Sequence, residues 1–361
     1  MKHLSEYRNA KMVKYYLKEL NQIVTQPWTI MEICGGQTHS LVKNGIIDML
    51  PKEIEMVHGP GCPVCVTPIT VIDQAVAIAK MPNTILCTYG DMMRVPGTHE
   101  SLLNVKSSGA DVRMVYSPLD AVTLAELNPS KEVVFFGVGF ETTAPANGLS
   151  VLQAFRKRLI NYSLLGSHVL VPPAMVSIME DPHCHIQAFL AAGHVCSIMG
   201  MQQYQTLPDR YQIPIVVTGF EPLDLLKGIF HAVLQLEGGK HELENQYARV
   251  VTFYGNIEAQ EIIREVFVLA DQEWRGLGKI PASGLSLSRK YEMYNSDRKF
   301  NTCIKSGSTN EDCIAGSILK GLKKPLDCPS FARRCVPTHP MGAPMVSSEG
   351  ACAAYYHHQT Q

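Results

Sequence analysis

Two closely spaced cysteines, Cys62 and Cys65, lie in the Gly- and Pro-rich stretch HGPGCPVCVTP, residues 58–68. A Cys-x-x-Cys pair at the start of a helix is the geometry of thioredoxin-like redox proteins. The same spacing supplies half of a structural zinc site, but the chain contains no second Cys-x-x-Cys. A closed zinc site is therefore disfavoured here. The remaining alternative is a tight Pro/Gly turn in which the two thiols have no role.

A third cysteine, Cys34, ends the apolar run TIMEIC and is followed by Gly35 and Gly36 in EICGGQTHS. Ligands of open α/β sheets bind beyond the carboxyl ends of the strands, and glycines let a ligand approach the backbone closely. Amides at the start of the next helix, which Thr38 could cap, would lower the pKa of the Cys34 thiol and improve it as a nucleophile or metal ligand. Alternatively, Cys34 is a small buried hydrophobic residue beside a tight turn.

The C-terminal segment is rich in Gly, Pro and Ser, and its helix and strand signals are weak. It carries four widely spaced cysteines: Cys313, Cys328, Cys335 and Cys352. Four thiolates can hold an iron–sulfur cluster or a tetrahedral zinc ion, and metal binding can order a segment that has no large apolar core. The pattern favours a metal site over free thiols but does not identify the metal.

The composition limits the classes of protein to which the chain can belong. Its 361 residues, 46% hydrophobic and 18% charged, predict about two or three domains with buried cores. The formal net charge of -1 argues against a nucleic-acid partner, which would need a basic face. No apolar run approaches the ~20 residues of a membrane span. The N-terminus lacks the apolar core of a signal peptide, so we expect a cytoplasmic protein whose eleven cysteines serve metal or catalytic roles.

Apolar strands alternate with helices along most of the chain, as is typical of parallel sheets covered on both faces. Predicted strands cover residues 29–34, 53–59, 83–90, 112–118, 132–140, 163–172, 194–200 and 213–220. Predicted helices cover residues 8–24, 67–80, 119–127, 146–160, 186–192 and 222–236, and an interrupted helix covers 245–274. His194 begins one of these strands near a sheet edge and is a candidate site residue.

The predicted fold class is therefore α/β, with two related, Rossmann-like parallel-sheet domains followed by a cysteine-rich domain. The two sheets should meet near residues 120–130. We predict domain boundaries at 1–125, which holds Cys34 and the Cys-x-x-Cys pair, at 126–240, and at 241–361 for the helical and loop-rich tail.

Several long motifs together resemble the HypD family of hydrogenase maturation factors: EICGGQTHS, HGPGCPVCVTP, GFETTAPA, GHVCSIMG, GFEPLD and MVSSEGACAAYY. They are spread over nearly the whole chain. The resemblance implies that the cysteine-rich domain holds a [4Fe-4S] cluster through Cys313, Cys328, Cys335 and Cys352. It also implies that Cys34 is the family's iron-site cysteine, that Cys62 and Cys65 are its Cys-x-x-Cys pair, and that His194 is its GHVS histidine. Because Cys34, Cys62 and Cys65 follow predicted neighbouring strands, we expect all three to belong to one iron site.

The resemblance further implies a function. Together with the small chaperone HypC, such a protein holds a mononuclear iron on which cyanide and carbon monoxide form the Fe(CN)2CO group of [NiFe]-hydrogenase. HypE delivers the cyanide, and the hydrogenase large subunit is an indirect partner. Soft thiolates suit iron that carries these ligands, and a cluster beside a Cys-x-x-Cys pair suits electron transfer. The protein would then be a redox-active assembly scaffold more than a turnover enzyme.

The chain departs from the family pattern in two places. Cys196 stands where a serine is expected after GHV, and GAPMVSSEG lacks an additional cysteine that some relatives carry. Two other functions stay open: a cluster-dependent thiol–disulfide oxidoreductase acting on protein disulfides, and a zinc-stabilised α/β binding protein.

Overall fold

The computed structural model describes residues 9–302 and 312–358. Its strands are β1 (Trp28–Glu32), β2 (Ile54–His58), β3 (Thr84–Thr88), β4 (Val112–Met114), β5 (Glu132–Gly139), β6 (Tyr162–Val169), β7 (Ala188–Ala192), β8 (Ile215–Thr218), β9 (Leu243–Asn245), β10 (Phe267–Trp274) and β11 (Gly278–Leu287). Its α-helices are α1 (Ala10–Ile23), α2 (Gly35–Lys43), α3 (Ile46–Met49), α4 (Pro63–Val66), α5 (Ile69–Ala79), α6 (Leu102–Ser107), α7 (Pro118–Leu127), α8 (Ala144–Arg156), α9 (Val171–Met179), α10 (Gly193–Met199), α11 (Leu207–Tyr211), α12 (Pro222–Glu237), α13 (Ile257–Val266), α14 (Ser296–Phe300), α15 (Ala315–Leu319) and α16 (Ala351–His358). In this part of the chain, no helix combines the length and the apolar character that crossing a membrane requires.

The strands form two sheets in which parallel pairing dominates. The first sheet has the order β2-β1-β7-β8-β9 and is parallel throughout. The second has the order β10-β11-β6-β5-β3-β4, and only the hairpin β10–β11 and its contact with β6 are antiparallel. The α/β class with two mainly parallel sheets is thus confirmed.

Each sheet takes its strands from distant parts of the chain. The chain leaves the first sheet after β2, builds β3 to β6 of the second sheet, and then returns to place β7 beside β1. It later crosses back to add β10 and β11 to the second sheet. The prediction that one sheet precedes residues 120–130 and the other follows them is therefore wrong, because local periodicity does not encode which strands pair.

Three predicted elements have a different structure. Residues 188–192, predicted as helix, form β7, which is fully buried between β1 and β8. The strand predicted for residues 194–200 is instead helical, since α10 covers residues 193–199. The interrupted helix predicted for 245–274 is helical only in α13 and continues as β10. Short apolar runs fit a buried strand or a buried helix equally well, and tertiary packing selects between them.

Successive residues of β1 face two different cores, as the alternation of side chains along a strand requires. Ile30 packs with Leu225 and Ile229 of α12. Met31 and the residues after β1 belong to a core that also contains Phe140, which follows β5, and Trp274, which ends β10. This second core joins elements of both sheets, so the carboxyl end of β1 points into the space between them.

His168 should make the stability of the fold depend on pH. It is fully buried at the end of β6, and its Nε2 accepts a hydrogen bond from the Asn147 amide. Burial lowers the pKa of His168 to about 4, whereas histidine in an unfolded chain titrates near ~6.5. The unfolded chain therefore binds more protons between these values, and stability is lost as the pH falls.

We expect the free energy of unfolding to decrease by about 2 kcal/mol between pH 7 and pH 5 because of this residue. Urea unfolding at both pH values gives the free energy of unfolding of the unmodified protein and of His168→Gln. The contribution of His168 is the difference between the two proteins in how much this free energy changes from pH 7 to pH 5. An equal change in the two proteins would contradict the role of His168 in the pH dependence.

Candidate functional site

Cys34 lies at the carboxyl end of β1, where it is the N-cap residue of α2. Its side chain is buried, with 1% of its surface exposed. Its Sγ atom lies 3.7 Å from each ring nitrogen of His194. His194 is in the first turn of α10, directly after β7, and β7 pairs with β1. The two residues therefore meet because they follow neighbouring strands, although His194 starts a helix and not the predicted strand.

The Cys-x-x-Cys segment follows β2, the other neighbour of β1. The Gly35 amide donates a hydrogen bond of 3.0 Å to the Gly61 carbonyl, so the two loops are in backbone contact beside Cys34. Cys62 and Cys65 form a disulfide and are 3% and 1% exposed. The two preceding strands are thus neighbours, as predicted, and the packed loops exclude water from the pair.

The predicted lowering of the Cys34 pKa is also wrong. Burial raises the pKa of the Cys34 thiol, and the carboxylates of Glu349 and Glu32 act in the same direction. The amides at the start of α2 oppose this effect, but the loss of hydration outweighs them. Thr38 does not cap α2; its hydroxyl donates to the Glu32 carboxylate. Burial thus favours the protonated thiol of Cys34.

A ring that sequence reasoning missed stacks on His194. The side chain of Phe220, which follows β8, stacks on the imidazole with ring centroids 5.0 Å apart and an interplanar angle of 14°. Burial lowers the pKa of His194 to about 4, so the ring is neutral near pH 7. The GFEPLD motif contains Phe220, and a position directly after a parallel strand was the available signal.

The four tail cysteines lie near one another. Burial raises the pKa of the Cys352 thiol, and the other three tail cysteines act in the same direction. Cys352 is in the first turn of α16, and Cys335 Sγ accepts a hydrogen bond of 3.4 Å from the Met341 amide. The Cys313 sulfur lies against Gly342, where a β-carbon would be only 2.4 Å from it. The tertiary structure therefore brings this predicted set together, while Cys303 lies outside the described residues.

Neither group of thiols forms a complete metal cage by itself. In residues 9–302 and 312–358, no three histidine, cysteine, aspartate or glutamate side chains lie close enough together to hold a metal ion as they stand. Cys34 with His194 supplies at most two donors, and the thiols of Cys62 and Cys65 are joined to each other. An ion at Cys34 would need ligands from outside this arrangement.

The tail also closes one side of the Cys34 loop. A β-carbon on Gly35 would lie 2.6 Å from both Cβ and the carbonyl oxygen of Glu349. One turn later, the His39 ring contacts the Ser348 carbonyl through Nδ1 at 3.1 Å. The segment before α16 is therefore packed against the start of α2.

Gly61→Ala should separate the Cys-x-x-Cys loop from Cys34. The new β-carbon would lie 2.3 Å from both the nitrogen and Cα of Cys34, and backbone atoms cannot yield as a flexible side chain can. We expect a loss of about 1–3 kcal/mol in the free energy of unfolding, together with faster alkylation of Cys34. Gly166→Ala is the control, because the nearest atom to its new β-carbon would be 3.7 Å away. Equal stability and equal Cys34 protection in the two variants would contradict this close approach.

Comparison with known proteins relates the whole arrangement to one family. The family model HypD, described as the hydrogenase formation hypA family, matches residues 11–359. Hydrogenase maturation factor HypD2 of Bradyrhizobium diazoefficiens is 45% identical over 366 residues, which cover 99% of this chain and 96% of that protein. Hydrogenase maturation factor HypD of Rhizobium leguminosarum bv. viciae is 43% identical over 366 residues, covering 99% and 95%. Its Escherichia coli namesake is 43% identical over 369 residues, covering 100% and 99%. The similarity thus includes both sheets and the cysteine-rich tail.

Proposed function

The chain belongs to the HypD family of hydrogenase maturation factors, and from this premise we propose that it is the scaffold on which the Fe(CN)2CO group of [NiFe]-hydrogenase is assembled. In this proposal the iron atom is cargo and Cys34 is its anchoring ligand. A HypC-type chaperone binds beside Cys34, HypE delivers the cyanide, and the hydrogenase large subunit receives the finished group. Each of these proteins is a partner within the maturation pathway.

The observation that carries this proposal is the meeting of three neighbouring strand ends at one place. Cys34 follows β1, the Cys-x-x-Cys loop follows β2, and His194 follows β7. Cyanide and carbon monoxide require an electron-rich iron, and thiolates are the soft ligands that suit it. A thiol must lose its proton to bind iron, and both ring nitrogens of His194 lie 3.7 Å from Cys34 Sγ.

The incomplete ligand set at Cys34 supports a site shared with a partner. Because no three potential ligands converge in the described part of the chain, we propose that the HypC-type chaperone contributes a ligand of its own. Reduction of the Cys62–Cys65 disulfide by two electrons and two protons would release two further thiols beside Cys34. The site would then be assembled by partner binding and by reduction.

We propose that the four tail cysteines hold a [4Fe-4S] cluster and that the tail is a third domain built around it, beside two Rossmann-like domains. The donor set fits this group: the four thiols interact with one another electrostatically, and four cysteine thiolates are the ligands of such a cluster. A bound cluster would supply single electrons at this position. A cytoplasmic location suits such a site, since a reducing compartment keeps thiols free for metal.

A turn between β10 and β11 connects the two sulfur sites and supports a shared redox role. The Arg275 amide donates a hydrogen bond of 2.8 Å to the Val66 carbonyl at the end of α4. At the next residue, a β-carbon on Gly276 would lie 2.8 Å from Cα of Gly316 in α15, three residues after Cys313. One tight turn thus packs against the disulfide-bearing helix on one side and the cluster segment on the other.

Infrared spectroscopy of the full chain, purified anaerobically with a HypC-type chaperone, tests the proposed function. Cyanide and carbonyl stretching bands are expected after incubation with iron and HypE charged with cyanide. A complex that retains stoichiometric iron without these bands, or that retains no iron, would refute the scaffold.

A second function, a cluster-dependent thiol–disulfide oxidoreductase, is favoured by the Cys62–Cys65 disulfide itself, whose Cα atoms are 5.3 Å apart. Turnover of a protein disulfide by the reduced chain, in the absence of chaperone and iron, would support it. A buried pair is expected to react slowly with a protein substrate, so we rank this function below the scaffold.

A further inference from the structure

A chain of buried hydrogen bonds begins at the backbone of Cys34. The Cys34 amide donates to Oε2 of Glu32 at 2.9 Å. The other carboxylate oxygen, Oε1, is 2.7 Å from Nδ1 of His58 and also accepts from the Thr38 hydroxyl. Glu32 and His58 end the paired strands β1 and β2 and are register partners. Glu32 thus holds both the Cys34 loop and the neighbouring strand end.

The chain continues from His58 to the C-terminal helix. Nε2 of His58 is 2.9 Å from the hydroxyl of Tyr355, which lies in α16 three residues after Cys352. A carboxylate only accepts hydrogen bonds, so His58 donates to Glu32 through Nδ1–H, and its Nε2 is paired with the Tyr355 hydroxyl. Each of the three side chains is 2% exposed or less. Every link is therefore shielded from competing water.

We propose that Glu32, His58 and Tyr355 are positioning residues that couple the position of Cys34 to the docking of the C-terminal helix. This inference rests on the proposed function in one respect: Cys34 is taken as the iron anchor and α16 as the carrier of a cluster ligand. The consequence is an order of assembly. Cys34 reaches its binding position only when α16 is docked, which requires an ordered tail.

The position of these hydrogen bonds in the fold indicates a role beyond stabilising the pairing of β1 and β2. Backbone hydrogen bonds already join β1 to β2 at this register, and the strand residues just before, Met31 and Val57, are apolar and buried. Buried polar pairs can often be replaced by well-packed apolar residues without loss of stability. The buried hydrogen bonds at the carboxyl ends of β1 and β2 are therefore not required for stability. What they add is a connection from the Cys34 loop to α16. Because coupling is reciprocal, the Cys34 loop should also steady α16.

Tyr355→Phe removes one hydroxyl from the chain and tests the coupling directly. Without it, Nε2 of His58 loses its hydrogen-bond partner, and we expect Cys34 in the full-length protein to be alkylated by iodoacetamide about fivefold faster, as loss of one buried hydrogen bond implies. Tyr162→Phe is the matched control. Tyr162 is also fully buried, and its hydroxyl is 2.7 Å from the Ser150 hydroxyl in the second sheet's core.

Cys87 in β3 gives an internal reference, since it is buried beside Tyr162. Tyr355→Phe should accelerate the alkylation of Cys34 but not that of Cys87. Tyr162→Phe should accelerate the alkylation of Cys87 but not that of Cys34. Glu32→Gln should raise hydrogen exchange in residues 351–358 about fivefold, whereas Tyr162→Phe should not. Unchanged Cys34 reactivity in Tyr355→Phe, or equal acceleration in both tyrosine variants, would overturn the coupling. These readouts need no iron, so a failure of the scaffold function would be seen separately, as absent iron retention by the unmodified protein.

Discussion

Cys34→Ala is expected to abolish retention of the cyanide-bearing iron and, with it, hydrogenase maturation. The variant removes the thiol but keeps the backbone amide that donates to Glu32, so the fold and the tail should be preserved. The loss of one buried sulfur should cost about 1–2 kcal/mol of stability. Iron content and infrared bands of the complex with the HypC-type chaperone measure the effect, and the visible absorption of the tail reports an intact distal site.

Two further variants separate ligation from packing at this position. Cys34→Ser should fail nearly as badly as the alanine variant, because an alkoxide is a harder and more basic ligand than a thiolate. Cys196→Ala is the matched control: Cys196 is fully buried in the same core, but its thiol interacts with Tyr204. It should keep the iron. Normal iron loading in Cys34→Ala would show that Cys34 is structural and that the iron site lies elsewhere.

Replacement of any one tail cysteine by alanine should eliminate the broad visible absorption of an iron–sulfur cluster and loosen the tail. Cys352→Ala is the most informative case, since all three other tail cysteines raise the pKa of the Cys352 thiol. In addition, the segment that precedes α16 contacts the start of α2. Iron and sulfide content after anaerobic reconstitution, with hydrogen exchange of α16, measure the two effects.

Cys184→Ala is the control for this series, because Cys184 is a partly exposed free cysteine that is not part of the tail. It should bind the full cluster. Cys303→Ala tests whether a cysteine close to Cys313 in the sequence can substitute for one of the four. Stoichiometric zinc in the reconstituted protein, or full iron and sulfide in Cys352→Ala, would contradict the cluster assignment.

The sequence by itself determined much of the candidate site. Cys34 and the Cys-x-x-Cys pair each follow a short segment that the sequence predicts as a strand, and consecutive parallel strands usually lie side by side. Their adjacency could therefore be predicted, as could the α/β class. The long motifs around these residues and around Cys352 also carried the family resemblance, which the comparisons confirmed.

The pairing of distant strands was decided only by the tertiary structure. β7 lies between β1 and β8, and this places His194 beside Cys34, although about 160 residues separate them. The run AFLAAGHVCSIM is mostly apolar, so its periodicity could not distinguish strand from helix. Residues 188–192 form a strand because they lie in the centre of a sheet, between β1 and β8. Residues 193–199 lie beyond the end of that strand and form a helix.

The electrostatics of the site were likewise decided by packing. Helix-start amides favour a Cys34 thiolate, and the sequence placed them correctly, but the Glu349 segment and the Cys-x-x-Cys loop bury the thiol and raise its pKa. The bonds from Glu32 through His58 to Tyr355 depend in the same way on the docking of α16. Hydration and hydrogen bonding depend on which surfaces meet in three dimensions, and local sequence patterns specify only the elements that carry those surfaces.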